Sequence, residues 1–210
     1  PIDWLDKTSI WQAMPPHIQA LISYLDIQAV VSSTNDVVSQ QLQQQKNSGI
    51  VCIAEMQQSG RGRRGRTWFS PPAGTFYGSV GWVFNKGFQV LEGSSLALGV
   101  AVVEAFEDCG VHGISLKCPN DILWHGKKLG GVLIEVNAEM DGVCAVVVGV
   151  GVNLSLPHAI KQQIDQAAVD VKEILGQRIN RQQITVALIS HIVRLLQGYA
   201  QLGFASWHKK

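Results

Sequence analysis

The spacing of apolar positions along the chain changes period several times, and each change marks an element. Residues 27–31 and 50–54 are short apolar runs and read as strands, the second a buried one. Between them Ser32, Ser33 and Thr34 are helix-capping types, and Val37, Val38 and Leu42 follow at helical spacing. From Gln57 to Gly74 there is no apolar period, which predicts a long functional loop. A strand over 76–84 and a helix over 96–106 follow, the helix stopping before Gly110. Ile114–Lys117, 122–124, 129–136 and 144–153 read as strands. Pro119-Asn120-Asp121, His125-Gly126-Lys127 and Asp141-Gly142 supply turn chemistry between them. At the two ends, residues 1–26 read as a helical lead-in, with helix from Pro15-Pro16 through Leu25. Ile184, Leu188, Ile192, Leu195 and Tyr199 form one stripe of a long final helix. The pattern predicts an α/β (α+β) domain over 27–210, built on a mixed, largely antiparallel sheet flanked by helices.

Composition narrows what such a domain can be. With 46% apolar and only 16% charged residues in 210, the chain can bury a sizeable core. A net charge of +1 makes no overall case for nucleic acid or a membrane surface, so any anionic partner must meet a local patch. No apolar run has the length of a bilayer span, and neither a membrane partner nor a signal peptide is expected. Cys52, Cys109, Cys118 and Cys144 lack C-x-x-C spacing, and the histidines lack H-x-x-x-H spacing. Buried free thiols in a reducing cytoplasm are expected, and no metal held by the protein alone.

Charge is concentrated in one place. Four of the seven arginines fall within Gly60-Arg61-Gly62-Arg63-Arg64-Gly65-Arg66. Glycine admits close backbone approach, and guanidinium pairs bidentately with phosphate. The spacing also spells the dinucleotide fingerprint, but Thr67-Trp68-Phe69-Ser70-Pro71-Pro72 cannot begin the helix that fingerprint needs. A phosphate-binding loop, a merely solvated basic loop and an RNA-binding segment remain open from the loop alone. Trp68 suits stacking on a purine or ordinary packing. Ser33-Thr34-Asn35 suits ligand binding or simple capping, and Gln57 by itself says little. Lys117-Cys118-Pro119-Asn120-Asp121 and Lys128-Leu129-Gly130-Gly131 bring two lysines and a carboxylate to strand ends. Gly149-Val150-Gly151-Val152-Asn153 permits close ligand approach.

Taken in order, these motifs resemble the biotin protein ligase family, and the likeness runs from about Val30 to Pro157. It implies a class II aminoacyl-tRNA synthetase-like, biotin/lipoate ligase catalytic domain. The activity it implies is formation of biotinyl-5'-AMP from biotin and ATP with Mg²⁺, followed by transfer of biotin to a lysine of the biotin carboxyl carrier protein of acetyl-CoA carboxylase. On this resemblance Lys128, Arg63, Asp121 and Lys117 are the catalytic candidates. Ser33, Thr34, Asn35, Gln57, Arg61, Gly62, Arg63 and Lys128 would bind biotin. Arg61, Arg63, Arg64, Arg66, Trp68, Asn120, Lys128 and Asn153 would bind ATP and the adenylate. Cys118 departs from the family's usual tryptophan, so looser packing is expected there. The absence of an initiator methionine suggests a fragment, and neither a DNA-binding helix-turn-helix nor a complete C-terminal β domain is expected within these residues. Repression of biotin genes through DNA would need such an N-terminal domain in the intact protein. Pairing of two copies through a sheet edge is a further expectation. A lipoate ligase would share the fold and chemistry but lacks this arginine-glycine repeat.

Overall fold

The computed structural model describes residues 3–85, 93–140, 142–177 and 179–202; Asp141, half of one expected turn, lies outside them. The described elements are α1 Lys7–Ala13, α2 Pro16–Gln19, β1 Tyr24–Val31, α3 Thr34–Gln45, β2 Ile50–Gln57 and β3 Thr75–Phe84. They continue with α4 Ser94–Glu107, β4 Ile114–Lys117, β5 Asp121–Trp124, β6 Lys127–Met140, β7 Val143–Asn153, α5 His158–Lys161, α6 Val171–Leu175 and α7 Arg181–Leu202. The strands form one seven-stranded sheet in the order β1-β2-β3-β7-β6-β5-β4.

Among the described strands only β1 and β2 run parallel, because α3 carries the chain back between them; every other neighbouring pair is antiparallel. The chain crosses to the far edge through α4 and returns to the centre by successive hairpins. One is the two-residue turn His125-Gly126, both at positive φ (45° and 78°), the geometry that suits the twist of adjoining strands.

The continuous apolar runs in β2 and β7 are explained by burial on both faces. Alternate residues of β2, Val51 and Ile53, face the main core, while Ile50 and Cys52 face α3; Val146 and Val148 on one side of β7 are matched by Val147 on the other. The main core is closed by α4 and α7, whose stripe of Ile184, Leu188, Ile192, Leu195 and Tyr199 is wholly buried. Ile10, Met14 and Ile18 of the lead-in join the same core. A buried ion pair ties these parts together: Arg181, opening α7, meets Glu55 of β2 at 2.5 Å, and the other carboxylate oxygen of Glu55 accepts the Leu5 amide at 2.6 Å.

Several boundaries differ from expectation. The lead-in helix ends at Gln19 instead of continuing through Leu25, because the Ser23 amide donates to the Gly49 carbonyl at 2.9 Å and the backbone joins the sheet. α1, capped by the Asp6 carboxylate on the Ser9 amide, and the short α5 and α6 have no apolar stripe long enough to read from sequence. β2 runs to Gln57, and the stretch after it is locally ordered, as described below.

Candidate active site

The N-terminus of α3, the ends of β2 and β7, the segment after β2, the β4–β5 turn and the start of β6 converge on one cavity of about 610 Å³. Every candidate residue lines it: Ser33, Thr34, Asn35, Gln57, Arg61, Gly62, Arg63, Arg64, Arg66, Trp68, Lys117, Asn120, Asp121, Lys128 and Asn153.

At one end lies a buried polar pocket. Ser33 occupies the N-cap of α3 yet makes no side-chain cap bond, so its hydroxyl is not spent on the helix. Gln57 takes over: its carbonyl oxygen accepts from the Thr34 amide at 2.8 Å and lies 3.2 Å from the Thr34 hydroxyl. Beneath them Ser79 Oγ is 2.7 Å from Thr34 Oγ1 and 2.6 Å from Asn35 Oδ1, and Asn35 Nδ2 donates to Glu135 at 2.6 Å. β7 passes so close that a Cβ on Gly149 would lie 2.3 Å from Asn35 Oδ1.

The arginine-glycine segment is a small hairpin. Arg61 and Thr67 form an antiparallel bridge, Gly62 donates to the Arg66 carbonyl at 2.7 Å, and Trp68 donates to the Gly60 carbonyl at 2.9 Å. Arg64 and Gly65 turn the chain at positive φ (57° and 72°). Arg61 anchors the hairpin to α3 through a bidentate pair with Asp36 at 3.0 and 2.5 Å, with Glu135 at 3.9 Å. The Arg61 hydrogen bond, outweighing partial burial, holds the Asp36 carboxyl below its ordinary range, and Asp36 in turn raises Arg61. Arg63, Arg64 and Arg66 are exposed and form no ion pair with a described residue. Three cations are thus left on the cavity rim for an anion.

At the far end Lys128 Nζ, mostly buried, bonds directly to the Asp121 carboxylate. A bulge between Ile122 and Leu123 shifts the register at this point of the β5–β6 pair. The Lys128 backbone is gripped on both sides. Its amide donates to the Ala167 carbonyl at 2.7 Å; its carbonyl accepts from the Val169 amide at 2.9 Å and from Asn153 Nδ2 at 3.3 Å. Trp68 lies flat against β7, where a Cβ on Gly151 would meet its ring at 2.7 Å, and its centroid is 6.0 Å from Lys128 Nζ. Among the described residues Trp68 Nε1 is buried without a partner. Lys117 and Cys118 are exposed, so the cysteine in the usual tryptophan position leaves no buried hole.

Asp36, Ser79, Glu135 and the segment from Gln163 to Ala168 were not among the sequence candidates. The available signal for Ser79 is a polar residue inside the largely apolar strand β3, where burial demands a partner; half-exposed Glu135, in a strand that also carries Lys127 and Lys128, gives no such signal. Among the described residues no three or more His, Cys, Asp or Glu side chains cluster as a metal cage, and no helix is long and apolar enough to cross a membrane.

The chain is similar to several known proteins. The "Bifunctional ligase/repressor BirA" of Escherichia coli is 32% identical over 178 residues, covering 85% of this chain and 55% of the relative. This chain therefore spans little more than half the length of that curated relative. The solved structure of "Biotin protein ligase from Aquifex aeolicus in complex with biotin and ATP" superposes with a TM-score of 0.69 at 28% identity, covering 89% of this chain and 75% of that one. The Leishmania major biotin protein ligase in complex with biotinyl-5-AMP shares the fold, with a TM-score of 0.70 at 23% identity and coverage of 89% and 81%. The profile of the biotin/lipoate A/B protein ligase family matches residues 27–153, from within β1 to the end of β7. Since that span carries the cavity's polar pocket, arginine hairpin and Lys128–Asp121 pair, the chain belongs to the biotin/lipoate A/B protein ligase family.

Proposed function

We propose that this chain is the catalytic part of an ATP-dependent biotin protein ligase of the biotin–[biotin carboxyl-carrier protein] type. The observation that carries this reading is the cavity's polarity: an uncharged hydrogen-bonding pocket at one end, three uncommitted arginines on the rim, and Lys128 beside Asp121 at the other end. A neutral ureido head suits the first, triphosphate the second, and a reacting carboxylate the third.

In the first half-reaction a biotin carboxylate oxygen attacks the α-phosphorus of ATP; a P–O bond forms as the bond to pyrophosphate breaks. ATP would enter as its Mg²⁺ complex, the ion arriving with the substrate. Lys128, placed by the Ala167, Val169 and Asn153 contacts to its backbone, neutralises the carboxylate and the adenylate phosphate together. Arg63 covers the mixed anhydride, with Arg61, Arg64 and Arg66 around the phosphates, and Trp68 faces the adenine with Asn153 and Asn120 nearby. Ser33, Thr34, Asn35, Gln57 and the Arg61–Gly62 backbone hold the biotin head. In the second half-reaction the carrier's lysine ammonium gives a proton to Asp121, which Lys128 releases as it turns to phosphate, and Lys117 flanks the approach. The amine then attacks the acyl carbon; the C–N bond forms, AMP leaves, and the second proton passes to water.

Residues 1–26 serve as connector and 27–210 as the ligase domain in this reading. A cytoplasmic location fits the exposed Cys118 thiol. The intact protein would also repress biotin synthesis genes if a DNA-binding domain precedes this chain, with ligand promoting a homodimer.

The test is direct. The protein is mixed with biotin, ATP and Mg²⁺, denatured, and searched by mass for biotinyl-5'-AMP, with lipoate in a parallel sample. Adenylate from biotin alone is expected. Lipoyl-adenylate instead, or none from either with a folded protein, overturns the reading.

A further inference from the structure

Ser79 and Glu135 touch the polar pocket only from behind, and the direction of their hydrogen bonds decides what the pocket can recognise. Asn35 Nδ2 lies 2.6 Å from a Glu135 carboxylate oxygen. A carboxylate only accepts, so this contact admits the Asn35 amide in one orientation, NH₂ toward Glu135 and carbonyl toward Ser79. Ser79 is fully buried, and its single proton must then go to Asn35 Oδ1, 2.6 Å away; otherwise two lone pairs would face each other at that distance. The remaining short contact, 2.7 Å between Ser79 Oγ and Thr34 Oγ1, is satisfied only if Thr34 donates to Ser79. Gln57 Oε1, at 3.2 Å from the Thr34 hydroxyl, already receives the Thr34 amide at 2.8 Å and does not need that proton. With its proton turned inward, Thr34 can offer the cavity only lone pairs.

We propose that Glu135 and Ser79 are positioning residues that set the hydrogen-bond polarity of the head pocket, making Thr34 an acceptor that selects a ligand carrying an N–H donor at that point. The selected class is a cyclic urea or amide rather than an ether, thioether or ester. β7 packs close against the arrangement, since a Cβ added at Gly149 would lie 2.3 Å from Asn35 Oδ1. This inference rests on the proposed placing of the biotin head in this pocket.

The test uses the full chain with biotin and the two cyclic carbamate analogues in which one ureido N–H is replaced by oxygen. That change trades a donor for an acceptor with little change of size. Direct binding by calorimetry should show the wild type rejecting at least one analogue by about 100-fold relative to biotin. In Ser79→Ala the Thr34 proton is released and can turn outward. Biotin should weaken by about 10-fold to 100-fold while the gap to that analogue narrows to about 10-fold or less. Glu135→Gln alone should narrow it less, because glutamine can still accept. Asn35→Asp alone sets two carboxylates face to face and should nearly abolish biotin binding. The double variant Asn35→Asp/Glu135→Gln exchanges donor and acceptor across the outer contact but keeps the inner acceptor, and should recover most of both affinity and selectivity. A merely structural role would not be rescued by that exchange. If biotin binds the wild type normally and the analogue gap survives in Ser79→Ala, or the double variant is no better than Asn35→Asp, the polarity assignment falls and the ligase reading stands. If biotin does not bind the folded wild type, both fall together.

Discussion

The head pocket and the arginine hairpin are adjacent, line one cavity and are both polar, yet they are built in opposite ways. In the pocket Thr34, Asn35 and Ser79 are buried, and their hydrogen bonds run from one side chain to the next until they reach Glu135. In the hairpin Arg61 is committed to Asp36, while Arg63, Arg64 and Arg66 are exposed and pair with no described carboxylate. A neutral ligand gains little from long-range fields and must be recognised by donors and acceptors already aimed, which requires burial and mutual restraint. Phosphate carries its own field, so exposed guanidinium groups can wait without partners and gather on arrival. Lys128 lies between these regimes: its side chain is mostly buried, its charge is balanced by Asp121, and its backbone is fixed by three hydrogen bonds.

That contrast can be broken in order of expected size. Lys128→Ala removes the mostly buried cation that the proposed chemistry sets beside the reacting atoms. Adenylate formation in a single turnover should fall by about 100-fold to 1,000-fold with the fold retained by circular dichroism, since no core side chain is lost, although Asp121 left without its partner lowers the melting temperature. Near-normal turnover would take Lys128 out of the chemistry. Gly149→Ala attacks the restrained side of the comparison. Its Cβ must displace the Asn35 amide, so biotin affinity should drop by about 10-fold to 100-fold, with ATP binding measured alone much less affected. Equal losses for both ligands would mean that pocket and hairpin are one unit.

Arg63→Gly tests the other side. Loss of one charge-assisted contact to phosphate should speed escape of the adenylate by about 10-fold, followed by filter retention of labelled product, and leave biotin affinity nearly unchanged. Asp36→Asn should do least. The Asp36–Arg61 pair is half-exposed, so its contribution is under about 1 kcal/mol and shrinks further with salt. Because Arg61 lowers the Asp36 pKa in the folded protein, this contribution is present above the ordinary value of 3.8 and is lost as pH falls below it. Stability of the wild type and of Asp36→Asn, measured by urea melts from pH 7 downward, should therefore converge in acid. A constant gap across the range would show that the pair is not what holds the hairpin stem.

The two regions also differ in how far sequence reveals them. The hairpin's arginines and glycines are contiguous, so their clustering is visible as a local excess of charge. Lys128 and Asp121 are seven residues apart on one β-hairpin and are nearly as plain. The pocket is assembled over much greater distances. Ser79 meets Asn35 across 44 positions and Glu135 meets it across 100, so the sequence candidates include only the cavity-lining members Ser33, Thr34, Asn35 and Gln57. The same reason explains the misplaced lead-in helix. Residues 20–25 carry no strong local preference, and pairing of Tyr24 with Ile50 in a sheet formed by distant segments decided their conformation.

Short-range physics, then, was enough for the strands of β2, β3, β6 and β7, the stripe of α7, the His125-Gly126 turn and the clustered charge of residues 60–66. Each depends on side-chain period, backbone preference or local charge, which neighbouring residues determine among themselves. The sheet order β1-β2-β3-β7-β6-β5-β4, the Glu55–Arg181 tie and the polarity of the head pocket were settled only by folding. A buried polar group takes whatever partner the packed chain brings within reach, and no local pattern specifies which segment that will be.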